Sequence, residues 1–161
     1  MDLSVEIQQN QGDWPADAGH WITTAIQATL DHTNLFDRDD QDIEVSVLLT
    51  DDPGIQAYNA DYRGMDKPTN VLSFAMEEGD DLPTDSVPIR FLGDLILSLD
   101  SCVRESDERA ILFENHLIHL VVHGVLHLLG YDHERSEWEA ERQESMERSV
   151  LAELNISDPY A

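Results

Sequence analysis

The sequence predicts an α+β fold with α/β character. Three observations support it: short segments in which apolar and polar residues alternate, longer segments in which apolar residues recur at helical spacing, and the interleaving of the two kinds along the chain. Alternation places every second side chain on one face of a half-buried strand, whereas a three-to-four spacing places an apolar stripe along one side of a helix. Chains that interleave the two fold as a sheet layered with helices, not as a bundle or an all-β barrel. Four strands and about five helices are expected, and residues 1–161 suit a single domain, because a chain of this size buries about two-thirds of its unfolded surface in one core.

The first strand is LSVEIQ, residues 3–8, where Leu3, Val5 and Ile7 share a face. A helix follows over residues 15–30, opened by Pro15 and striped by Trp21, Ile22, Ala25, Ile26 and Leu30. An acidic loop at residues 37–42 leads into the second strand, IEVSVLLT, with Ile43, Val45, Val47 and Leu49 in alternation. Asp52 and Pro53 then read as the N-cap and first residue of a short helix, and Gly64 as its stop, so that Tyr62 and Arg63 sit at the helix end. NVLSFAM reads as the third strand, residues 77–88 as an acidic, proline-containing loop, and LGDLILSL as the fourth strand. Two long helices close the chain, over residues 107–129 and 136–154; the first, mostly apolar beyond Leu117, is expected at the centre, against the sheet.

The net charge is −25, and the basic side consists of eight arginines and one lysine, Lys67. Non-specific binding to nucleic acid, DNA included, is disfavoured by such a field, although a local basic spot would survive it. An acidic surface of this kind suits high salt, where screening shortens repulsion to about 3 Å at 1 M. The N-terminal MDLSVEIQQN lacks the basic start and apolar run of a secretory signal, and no stretch approaches the roughly 20 apolar residues of a membrane span; a cytoplasmic location without membrane contact is expected. Cys102, the only cysteine, has no disulfide partner in the chain and reads as a small buried hydrophobe.

The chemistry is concentrated in LVVHGVLHLLGYDH. His123 and His127 are four residues apart, so on a helix both imidazoles project from one face about 6 Å apart along the axis. Gly130 tolerates the left-handed conformation that ends many helices and lets the chain turn back, bringing His133 to the same point. Three imidazoles fill three of the four positions around a tetrahedral zinc ion and leave one open, which implies catalysis, since structural sites fill all four. Zinc, one ion per chain, is the expected occupant; nickel or another divalent transition metal would also accept imidazoles. His116 and His119 lie on the same helical face one to two turns upstream, either in the surroundings of this site or simply hydrogen-bonded in the core. Asp132 is placed either to orient an imidazole or to stabilise the turn.

The spacing HxxxHxxGxxH resembles that of the metzincin proteases, except that Gly124 stands where their general-base glutamate follows the first histidine. The fuller string HLVVHGVLHLLGYDH, residues 119–133, resembles the YbeY family of bacterial endoribonucleases, whose hallmark is HGxLHLxGYDH. NADYRGMDKPTNVLSF, residues 59–74, and LGDLILS, residues 92–98, are similar to its other two signatures in the same order, so the likeness covers most of the chain.

This resemblance implies a mixed four-stranded sheet with helices and a single-strand-specific, metal-dependent endoribonuclease. The family acts in maturation of the small-subunit rRNA 3′ end and in ribosome quality control, with rRNA in the small ribosomal subunit and ribosome-associated proteins as partners. It also implies His123, His127 and His133 as metal ligands and Arg63 as the functionally important arginine. A guanidinium grips phosphate through paired hydrogen bonds and offsets charge that builds during attack; Lys67, nearby in the same loop, would extend the cationic patch. No general base is evident. The alternatives are a metzincin-like metalloprotease and a ribosome-assembly factor whose metal is structural.

Overall fold

A computed structural model describes residues 2–34, 42–76 and 89–161. The architecture is α+β. Strands β1 (Leu3–Gln9), β2 (Asp42–Thr50), β3 (Val71–Ala75) and β4 (Ile89–Ser98) form one sheet in the order β1-β2-β4-β3. β1 and β4 both run parallel to β2, and β3 pairs antiparallel with β4 at the edge, so the sheet is mixed. The helices are α1 (Ala18–His32), α2 (Asp52–Arg63), α3 (Leu99–Arg109), α4 (Phe113–Leu128) and α5 (Glu137–Glu153).

The strands sort their side chains by parity, save at a register shift between β2 and β4 that also brings Leu92 into the main core. Val45, Val47 and Leu49 of β2 and Leu95 and Leu97 of β4 point to one face, where they meet Ile22, Ile26 and Leu30 of α1, Val121, Val122 and Val125 of α4, and Val150 and Leu151 of α5. The intervening residues Leu72 and Ile96 point to the other face and close over Ile55 of α2. Among the described residues, one face of the sheet is thus covered by a helical layer and the other in part, by α2. α4 is the central helix, packed on β3 and β4 and against α1, α3 and α5. No single described helix is long and apolar enough to cross a membrane.

Two expectations are corrected. The helix read over residues 107–129 is two helices: α3 ends with Ala110 in the left-handed region at φ 55°, and the axis turns by 117° before α4 begins. α3 escapes a reading for apolar stripes because its buried face is made of Ser101, Cys102 and Ser106. The cap of α2 is Asp51, whose carboxylate accepts from the Gly54 amide at 2.9 Å, not Asp52. Asp52 is the first helical residue, and its own carboxylate is occupied by the hydroxyls of Ser98 and Ser101, each at 2.6 Å, and by Arg104 at 3.3 Å. The loop expected over residues 77–88 and most of that over residues 37–42 lie outside the described residues.

Candidate metal centre and active site

α4 brings the first two histidines together. His123 and His127 sit one helical turn apart with ring centroids 4.8 Å apart. Beyond the C-cap residue Leu129, Gly130 adopts φ 100°; its amide donates to the His127 carbonyl, and the Tyr131 amide donates to the Leu126 carbonyl, both at 3.0 Å. This double bond pattern reverses the chain at a left-handed glycine and satisfies carbonyls the helix end would leave bare. The reversal carries His133 back, its ring 4.9 Å from that of His123 and 5.0 Å from that of His127.

One nitrogen from each of the three rings lies within 4.8 Å of the others, and His127 Nε2 stands 3.0 Å from His133 Nδ1. Three nitrogens bound at about 2.0–2.1 Å around one tetrahedral ion stand about 3.4 Å apart, so the cluster has the scale and donor chemistry of a transition-metal site. Burial, and then the like charges of His123 and His133, push His127 down to about 4, with Asp132 and Glu134 opposing only in part. His127 is therefore neutral near pH 7, the form in which an imidazole offers its lone pair.

The three histidines open on a cavity of about 420 Å³ whose opposite wall is the edge of the sheet from Thr69 to Ser73. Arg63, Asp132 and Glu134 line the same cavity. Arg63 sits where α2 ends at Gly64, half exposed, with Nη2 3.5 Å from Glu134 Oε1. Asp132 accepts from the Glu134 amide at 3.0 Å and from Arg135 Nε at 3.2 Å, the pattern of a turn stabiliser, and these bonds, the amide's first, hold its carboxyl below the usual range. The structure thus gathers Arg63, His123, His127, Asp132 and His133 around one cleft. Lys67 is not among the described residues that line it; its backbone carbonyl instead accepts from the buried amide of Asn59 at 2.9 Å, which ties down the loop after α2.

Gly124, the departure from the protease pattern, has a packing role. A Cβ there would stand 2.8 Å from Leu95 Cδ2 and 3.1 Å from Ser73 Oγ. α4 approaches the sheet so closely at this point that a glutamate side chain has no room without displacing the core.

Behind the cleft lies a group that reading the sequence did not find. Glu147 of α5 is fully buried; its Oε2 faces His123 Nδ1 at 3.2 Å, and its Oε1 faces His119 Nε2 at 2.6 Å and Tyr160 OH at 2.8 Å. Burial alone would raise this carboxyl, but the hydrogen bonds from His119 and His123 outweigh it and hold Glu147 at about 2. Gln143, one turn earlier and also fully buried, donates to the His123 carbonyl at 3.3 Å. The available signal was two polar residues, Gln143 and Glu147, on the stripe that continues with Val150 and Leu151. His116 belongs elsewhere: it is buried against Glu105 at 2.8 Å, and Glu105 in turn holds Asn70 on the cleft wall at 3.0 Å.

Comparison with known proteins agrees with these features. The family model described as Endoribonuclease YbeY matches residues 4–155. A protein named Endoribonuclease YbeY from Magnetococcus marinus is 56% identical over 125 residues, covering 73% of this chain and 83% of that protein. One of the same name from a Bradyrhizobium species is 47% identical over 160 residues, covering 99% of this chain and 89% of its own length. A solution structure of a Thermotoga maritima protein superposes with a TM-score of 0.55 at 26% identity, covering 96% of this chain and 97% of that one.

Proposed function

The chain belongs to the YbeY family of endoribonucleases, which are hydrolases, and from that premise we propose that it cleaves single-stranded RNA at the three-histidine cleft with the help of one bound zinc ion. We extend the reading to the family's setting, maturation of the small-subunit rRNA 3′ end and ribosome quality control in the cytoplasm. The observation that carries it is the convergence of three imidazoles and one guanidinium on a single open cavity. His123, His127 and His133 would hold the ion, and its chemistry, when bound, is that of a Lewis acid for a phosphoryl oxygen and for water.

The chain's own residues supply the rest. Arg63 offers paired donors to a phosphodiester, and its long contact with exposed Glu134 is weak enough for a phosphate to replace it. Asn70 and Ser73 place polar side chains on the facing wall, and Asn70 is held there by Glu105. Tyr62, next to Arg63 and 69% exposed, presents a ring backed by Tyr58 and Phe74, on which an unpaired base can stack. Such a ring favours single strands, because a base within a duplex has no free face. A protease reading finds no support at Gly124, where the general-base glutamate of that mechanism is missing and even a Cβ would press on Leu95 and Ser73.

The decisive experiment incubates the purified chain with an end-labelled single-stranded RNA and, separately, with casein, with and without chelator. RNA cleavage that chelator abolishes and zinc restores, lost at least 100-fold in His127→Ala and Arg63→Ala with the fold intact, supports the reading. Casein hydrolysis, or RNA cleavage indifferent to chelator and to His127→Ala, overturns it.

A further inference from the structure

We infer that Glu147 is the carboxylate that orients His123 toward the metal, and that His119 and Tyr160 are positioning residues that hold Glu147, making the C-terminal tail part of the metal centre. The inference rests on the proposal that the three histidines bind a metal ion.

The division of labour between the two carboxylate oxygens is the central observation. Nδ1 of His123 stands 3.2 Å from Oε2 and 3.1 Å from Gln143 Nε2; a proton on Nδ1 directed to the carboxylate, with the Gln143 amide turned to the His123 carbonyl at 3.3 Å, leaves Nε2 bare for a metal. Carboxylate-to-histidine-to-metal chains of this kind fix the tautomer and ring orientation and raise the basicity of the ligand. Oε1 is taken by His119 Nε2 at 2.6 Å and by Tyr160 OH at 2.8 Å, and these two bonds stop the carboxylate from rotating away from His123.

Nδ1 of His119 is buried without a partner, so Nε2 is the ring nitrogen that meets Glu147. Tyr160 is delivered by a separate clamp: Arg148 on α5 bonds Asp158 at 3.1 Å and lies 5.2 Å from the Tyr160 ring centre. Gln143 completes the arrangement by donating to the backbone of His123 itself.

Charge points the same way. Among the described residues the ion-pair partners of Glu147 are His119 and His123, with no lysine or arginine. A divalent ion held by the far nitrogen of His123 would add a positive charge close to this buried carboxylate.

The test uses the full chain, stripped of metal, as wild type, Glu147→Gln, Tyr160→Phe and the exposed control Ser149→Ala, with near-UV circular dichroism confirming the fold of each. Zinc affinity is measured by competition with a chromophoric chelator, and the His123 tautomer by nitrogen-15 NMR of the imidazole in the metal-free protein. The expected result is Nδ1-protonated His123 in the wild type, a loss of that preference in Glu147→Gln with zinc binding weakened about 10–100-fold, a loss of about 3–10-fold in Tyr160→Phe, and no change in the control. Nε2-protonated His123 in the wild type, or folded variants that bind zinc within about twofold of it, would overturn the assignment. If Glu147→Gln fails to fold, Tyr160→Phe and the wild-type tautomer decide. A wild type that binds no zinc would instead refute the metal reading, while the tautomer still judges Glu147.

Discussion

Cys102 and Asp52 show how burial reinforced by a like charge, and burial answered by hydrogen bonds, set opposite chemistries in two acidic groups. Burial first, and then the charge of Glu105, push the Cys102 thiol up to about 12, so almost no thiolate exists near neutrality. The native protein is therefore expected to leave Ellman's reagent unreacted for hours and to release one equivalent at once in denaturant; rapid reaction of the native form would contradict the burial argument. Asp52 is also pushed upward by burial, but bonds from Ser101, Ser98 and Arg104 more than offset this and leave its carboxyl below the ordinary value. With the folded value depressed, the stability it contributes is fully present above the unfolded value of about 3.9 and is lost as pH falls through the lower folded value. Asp52→Asn should accordingly cost about 1–3 kcal/mol near pH 7, and the gap to wild type in thermal midpoint should close below about pH 4. A gap that persists unchanged at pH 2.5 would show that the side chain acts by shape and not by charge. The three-histidine cluster was legible at this scale because its spacing is local: four residues on a helix, then a glycine, then a histidine. Glu147, 24 residues beyond His123, was not, because no local pattern says which buried carboxylate a folded chain will bring behind a given imidazole.

At the scale of elements, the strands and α1 and α5 were readable because apolar parity and stripes survive whatever the tertiary context adds, and α2 because a proline start and a glycine stop bracket it. α3 was not readable, since serines and a cysteine fill its buried face and it follows β4 without a loop, capped only by the Ser98 hydroxyl toward the Ser101 amide. α4 meets the β3–β4 edge most closely at Gly124, whose carbonyl accepts from the Ser73 hydroxyl at 3.2 Å, and Ser73 lines the histidine cleft. Gly124→Ala gains up to about 1 kcal/mol of helix propensity but must displace the fully buried Leu95 and crowd Ser73, and overpacking of this kind costs roughly 1–3 kcal/mol. Net destabilisation is expected in urea unfolding, together with weaker zinc binding as α4 lifts from the sheet. A stabilised variant with unaltered metal affinity would mean that the helix has slack at this point.

Over the whole molecule the net charge of −25 opposes both compaction and the approach of a polyanion. The repulsion has a structural address on α5, where the exposed Glu137 and Glu141 stand four residues apart and the only cross-turn compensation among the described residues of that helix is the 3.9 Å pair of Glu144 with Arg148. Raising ionic strength shortens the reach of these interactions from about 30 Å at 0.01 M to about 3 Å at 1 M. The folded state, which concentrates the charge, gains more from that screening than the expanded unfolded chain. The thermal midpoint should therefore climb by about 4 °C or more across this range, since each kcal/mol of stabilisation moves a domain of this size by roughly 2–4 °C. The same screening makes an unusual signature for an RNA-cleaving enzyme. Binding that rests on many phosphate contacts weakens steeply as salt rises, whereas here one arginine faces a cleft set in an acidic surface. Cleavage of a short naked RNA should be slow at 10 mM salt and should accelerate toward moderate salt before any decline. A rate that falls monotonically from the lowest salt upward would show that a local cationic surface beyond Arg63 dominates the encounter and that the global field does not reach the substrate.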